Sequence, residues 1–198
     1  MDQRFAPALS EFHRLLAHCA TQLQLDLRFA LLGGLAVSIW GVIRATQDID
    51  FIADCDPSPI GNIPLRAKIQ SFLKAQDCSA EWRVGATDDP IPLLLHVELA
   101  ANFHDMSADI LWAHRNWQRE ALQRVVVVDF DGESIPVLHP EDLILMKIDA
   151  GGPLDLFDVE QLLAAGQSQI DIDRLKSSAA RLRLSAILAR CIRNSNRK

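Results

Sequence analysis

The amino-acid sequence predicts an α+β protein, a mixed β-sheet flanked by helices and followed by a C-terminal helical region. Two observations carry this expectation. Short apolar runs, several with polar–apolar alternation, recur through the first two-thirds of the chain, whereas three- and four-residue apolar spacing fills the last third. Neither an internal repeat nor a low-complexity segment interrupts that order.

Taken in order, Leu9, Phe12, Leu15, Leu16, Cys19 and Leu23 put an amphipathic helix over 8–25. Phe29-Ala30-Leu31-Leu32 reads as a short buried strand, ended by Gly33-Gly34, and a helical pattern resumes over 35–41. Asp48-Ile49-Asp50-Phe51-Ile52-Ala53 alternates like a strand lying on a core. Residues 54–64 hold three prolines and one glycine and form a loop before a helix over 65–75. Strands follow over 81–84, 94–100 and 108–111. A helix over 115–122 leads to a hairpin, 125–130 and 134–138, turned at Asp131-Gly132. His139-Pro140-Glu141-Asp142 opens a helix, with Pro and acidic residues in its first turn. Helices over 141–149, 155–165 and 171–192 complete the chain, giving a core over 1–138 and a helical region over 139–198.

Composition narrows the function classes. With 198 residues, 49% hydrophobic and 23% charged, the chain can bury one full-sized core. Its longest apolar runs, such as Phe29 to Leu32, fall far short of the roughly 20 residues of a membrane helix. The opening Met1-Asp2-Gln3-Arg4-Phe5 has no secretory pattern, so a cytoplasmic location is expected. Cys19, Cys55, Cys78 and Cys191 lie far apart with no Cys-x-x-Cys pair, which predicts reduced, buried thiols rather than a zinc site or disulfides. The histidines are scattered, and His96 in its apolar strand reads as a hydrogen-bonded core residue. Charge is uneven: after residue 170 there are 8 basic and 2 acidic residues, a net of +6 on a chain whose total is −6. A basic tail on an acidic body can contact polyphosphate or nucleic acid.

The chemistry lies near the first glycines. Side chains at i and i+2 of a strand share a face, so Asp48 and Asp50 present two carboxylates roughly 7 Å apart along the backbone. Two anions converging to about 4 Å repel by roughly 4 kcal/mol at an effective dielectric of 20, so without a cation one tends to protonate. Mg²⁺ prefers one or two carboxylates with waters and substrate phosphates, and such a pair suits it. Fourteen residues upstream of Asp48, Gly33-Gly34 stands between a strand and a helix, where bare backbone can approach a triphosphate.

The run Leu32-Gly33-Gly34-Leu35-Ala36-Val37, with Gly41, Arg44-Ala45-Thr46 and Asp48-Ile49-Asp50-Phe51, resembles the opening signature of the DNA polymerase β-like nucleotidyltransferase superfamily. Within it, the sequence is similar to the AbiEii/AbiGii-type toxins of abortive-infection and type IV toxin–antitoxin systems. A second block, Ile135-Pro136-Val137-Leu138-His139-Pro140-Glu141-Asp142-Leu143 leading to Lys147 and Asp155-Leu156-Phe157-Asp158, extends the resemblance over roughly 29–165. The resemblance implies the nucleotidyltransferase fold and transfer of a nucleotide from a nucleoside triphosphate with Mg²⁺ or Mn²⁺. It implies that Gly33, Gly34, Arg44, Thr46, Lys147, Asp155 and Asp158 serve the nucleotide, and that Asp48, Asp50 and a third carboxylate hold metal. Asp109, a single acid amid apolar residues, is the choice for that third position, as metal ligand or general base, and Glu98 competes. Lys147, in an otherwise apolar helix, needs an anion, which could be the triphosphate or Asp155 and Asp158.

For the acceptor the resemblance implies RNA, such as a tRNA 3′ end, held by the basic C-terminal helix, and a cognate antitoxin as partner. An adenylyltransferase acting on a small molecule such as an antibiotic, and a non-catalytic nucleotide-binding or antitoxin-like protein, are the alternatives. Two departures stand out: Gly34 occupies a position where the founding motif often has serine, and no basic residue lies between Lys147 and Asp155.

Overall fold

The computed structural model describes residues 5–44, 46, 48–86, 89–100, 106–165 and 170–196. Met1 to Arg4, Ala45 of the glycine–aspartate block, and Arg197 and Lys198 of the basic tail lie outside them. The elements run α1 (Phe5–Leu23), β1 (Asp26–Leu32), α2 (Gly33–Ile39), β2 (Asp48–Asp56), α3 (Ile63–Lys74), β3 (Ser79–Val84), β4 (Leu93–Glu98) and β5 (Ser107–Trp112). Then come α4 (Asn116–Leu122), β6 (Val126–Phe130), β7 (Glu133–Val137), α5 (Pro140–Ala150), α6 (Pro153–Ala165), α7 (Ile172–Arg181) and α8 (Ser185–Ser195).

Seven strands form one mixed sheet in the order β3-β4-β5-β2-β1-β7-β6. The central β2 pairs parallel with β5 and antiparallel with β1, while β7 joins β1 in parallel. Alternation decides which face each residue serves. Phe29 and Phe12 of α1 pack against Phe51 on one face, their ring centroids 5.7 and 5.8 Å from that of Phe51. Helix α3 covers the same side, where Trp82 Nε1 donates to the Arg66 carbonyl at 3.1 Å. Asp48, Asp50 and Ile52 point to the opposite face, over which α2 and α5 lie.

Local chemistry accounts for the element ends. Asn62 accepts from the Leu65 amide at 3.1 Å, so α3 starts two residues before the apolar pattern does. Asp131 and Gly132 have φ of 55° and 85°, the two left-handed residues that a tight hairpin requires. The expected α5 start is present, but Glu141 and Asp142 are buried rather than displayed. Glu141 accepts from the Asp171 amide at 2.7 Å, and Asp142 meets Arg124 at 2.8 Å and Arg174 at 3.7 Å, which fastens α7 to α5.

The single helix expected over 171–192 is two helices. The chain turns at Leu182-Arg183-Leu184, with Arg183 at φ 62°. Folding back lets Leu175, Ala179, Leu188 and Cys191 enter the common core, a gain that outweighs one strained residue. No glycine or proline marks the break, so the periodicity reads through it. All four cysteines are buried and free. No described helix is long and apolar enough to cross a membrane.

Candidate functional site

Residues directly opposite each other on paired strands share a face. His96 on β4 stands opposite Asp109 on β5, Asp109 opposite Asp50 on β2, and Asp50 opposite Leu32 at the end of β1. One row therefore crosses four strands. Two residues along, Glu98, Ser107 and Asp48 form a parallel row at the rim, and two residues the other way Leu94, Leu111 and Ile52 form an apolar floor. The register thus places Asp109 beside Asp50, whereas Glu98 sits exposed at the rim.

Asp50 occupies the tightest place. Gly33 holds φ of +70°, and a Cβ there would come within 1.9 Å of Asp50 Oδ2. The Gly34 amide donates to Asp50, so the amide that the sequence offers to a phosphate already serves this carboxylate. A Cβ on Gly34 would lie 3.0 Å from Thr46 Oγ1 and 3.3 Å from Arg44 Cζ. Gly33 has to stay bare because the Asp50 side chain lies against it, whereas a Cβ at Gly34 would require Thr46 and Arg44 to give by only a few tenths of an ångström. Burial pushes the Asp50 carboxyl up from its ordinary 3.8 to about 6, with Asp109 and then Asp48 adding repulsion, while Lys147 and the Gly34 amide pull the other way.

Lys147 and Arg44 face two acids of α6. Lys147 Nζ lies 2.8 Å from Asp158 Oδ2 and 3.1 Å from Asp155 Oδ1, and Arg44 bonds the same Asp158 oxygen. Asp158, 1% exposed, is thereby neutralised by two cations, as burial of a carboxylate demands. The anion that Lys147 needs is supplied within the chain.

The other two carboxylates each have one oxygen held by a neighbouring strand. Ser107 Oγ donates to Asp48 Oδ1 at 2.7 Å, and His96 Nδ1 lies 2.6 Å from Asp109 Oδ1. Among the described residues no three His, Cys, Asp or Glu side chains already converge on one point. Mg²⁺ does not need such a cage, since it keeps waters and substrate phosphates beside one or two carboxylates. The donor set fits: hard oxygens only, in a cluster whose mutual repulsion a divalent cation would relieve.

A family described as "Nucleotidyltransferase of unknown function (DUF6036)" matches residues 9–190. The chain belongs to this family. It is therefore a nucleotidyltransferase, and its α+β architecture is that of the nucleotidyltransferase fold. Among solved structures it resembles the antibiotic-resistance factor ANT(2'')-Ia, at 17% identity and a TM-score of 0.54 over 94% of this chain and 96% of that one. A putative nucleotidyltransferase from Thermotoga maritima is 17% identical with a TM-score of 0.45, over 77% and 92%. Terminal uridylyl transferase 4 from Trypanosoma brucei is 16% identical with a TM-score of 0.42, over 82% and 54%. Comparison with curated proteins finds no match.

In the nucleotidyltransferase several of these groups border one cavity of about 310 Å³, whereas Asp48, Thr46 and Asp158 are not part of its lining. Gly33, Gly34, Arg44, Asp50, Asp109 and Lys147 line its polar end, and Ile52, Pro90, Ile91, Leu94, Leu111 and Met146 its apolar end. Asp149 adds a wall, clamped by Arg115 Nη1 at 2.8 and 2.7 Å. His96, Ser107 and Asp149 are the neighbours that sequence reasoning missed. The sequence reads His96 as a hydrogen-bonded core residue; it is hydrogen-bonded but only partly buried, and only the register with β5 reveals that its partner is Asp109.

Proposed function

We propose that this nucleotidyltransferase moves a nucleoside monophosphate from a nucleoside triphosphate to an acceptor hydroxyl, with Mg²⁺ or Mn²⁺ at Asp48, Asp50 and Asp109. The row that sets Asp109 beside Asp50, under the Gly33-Gly34 backbone, carries this reading. The acceptor oxygen bonds to the α-phosphorus, the bond to the β-phosphate bridge breaks, and pyrophosphate leaves. Asp109 takes the hydroxyl proton. A bound divalent cation supplies charge neutralisation on the transferring group and its leaving oxygen. Arg44, Thr46 and Lys147 border the phosphates, and Asp155 and Asp158 hold the two cations in place until substrate arrives.

RNA is the acceptor on this reading, as in a toxin-like enzyme with its own antitoxin. Support comes from α7, α8 and the turn between them, which carry Arg174, Lys176, Arg181, Arg183, Arg190 and Arg193 against a single acid, Asp173. A small hydroxylated molecule is the second reading, favoured by the apolar end of the cavity, which a nucleic-acid terminus does not require. Transfer of α-³²P label from each nucleoside triphosphate into total RNA, for wild type and Asp48→Ala/Asp50→Ala, is the test. Label in RNA that falls steeply with salt and vanishes in the double variant supports the RNA reading. Metal-dependent nucleotide binding without labelled RNA moves the acceptor to the small-molecule class.

A further inference from the structure

We propose that His96 is a positioning residue for Asp109, donating Nδ1–H to one carboxylate oxygen so that the other is presented to the divalent cation. The inference rests on the metal-dependent reading of the same site. An ionised carboxylate only accepts hydrogen bonds, so the 2.6 Å contact puts the proton on Nδ1. The pair is opposed across β4 and β5, a register that fixes both backbones, and each side chain is about three-quarters covered, at 22% and 25% exposure.

The arrangement repeats at each acid of the cluster. Ser107 holds Asp48, the Gly34 amide holds Asp50, and His96 holds Asp109, one protein donor for each carboxylate. Three mutually repelling anions have every electrostatic reason to splay apart; donors on neighbouring strands and on α2 oppose that and select one rotamer. Groups that hold a ligand's second atom in this way set metal affinity as well as geometry, and losing one typically weakens binding about 10–100-fold. A histidine with only a packing duty would not need a carboxylate at hydrogen-bond distance in the row that carries Asp50.

The test is Mn²⁺ binding in the presence of α,β-methylene ATP, followed by electron paramagnetic resonance, with circular dichroism melts of each variant. His96→Phe keeps a ring and removes the donor; His96→Asn keeps a donor at the Nδ1 position and removes the ring. His96→Phe and His96→Ala should weaken Mn²⁺ about 10–100-fold, with His96→Asn within about threefold of wild type. Wild-type affinity in His96→Phe, or equal loss in His96→Asn and His96→Phe, overturns the positioning role and leaves the transfer reading standing. Absence of bound Mn²⁺ in the wild type overturns both.

Discussion

Gly33→Ala separates two demands made on one glycine. At φ +70° a residue with a side chain pays about 1–2 kcal/mol in backbone strain. The added methyl would also stand 1.9 Å from Asp50 Oδ2, and non-bonded contacts settle at roughly 3.5 Å, so something must yield by about 1.6 Å. Asp50 is the mobile partner, because Gly33 is fixed at the junction of β1 and α2. Functional constellations tolerate displacements of roughly 0.5 Å, and about 1 Å of misplacement can cost 10²-fold in rate. Gly132→Ala is the control: φ is +85° and nothing lies within 4 Å of its added Cβ, so it bears the strain without the collision. In urea unfolding Gly132→Ala should lose about 1–2 kcal/mol and Gly33→Ala at least as much. Only Gly33→Ala should lose about 100-fold or more in nucleotide transfer and in Mn²⁺ binding. Equal activity in the two variants would refute the claim that Gly33 is kept bare to admit Asp50.

Three further outcomes follow from the same contacts. Because the folded Asp50 carboxyl titrates near 6 rather than at its ordinary 3.8, protonation favours the fold; its contribution is full below about 4 and lost as pH rises through about 6. Metal-free Asp50→Asn should therefore melt above wild type at pH 7.5 and alike at pH 4, while transferring no nucleotide; identical melting profiles with pH would sink this. Lys147→Met leaves buried Asp158 with Arg44 alone, and breaking a buried pair should cost about 3 kcal/mol in urea unfolding. A loss below about 1 kcal/mol would mean that Arg44 suffices. Burial pushes the Cys19 thiol up to about 11 and that of Cys55 up to about 12, so iodoacetamide at pH 8 should leave both unmodified in the native protein and label them in denaturant, as read by mass spectrometry.

The sequence by itself determined the element order as far as α6, the mixed α+β class and the acidic strand after a double glycine, because those depend on short-range periodicity and turn chemistry. Alternation sufficed to put Asp48 and Asp50 on one face, and Pro140 with its acidic neighbours sufficed to start α5. Tertiary structure alone decided the rest. The β4–β5–β2 register chose Asp109 over Glu98 as the neighbour of Asp50 and gave His96 its partner, since a shift of one residue would have turned each of them to the other face. Similarly, nothing local divides 171–192; the turn at Arg183 exists because α8 buries more apolar surface folded back on α6 than it could by continuing α7. The anions beside Lys147 and Arg44 come from α6, and that pairing is set by where helices pack over the sheet, a long-range quantity that no window of sequence contains.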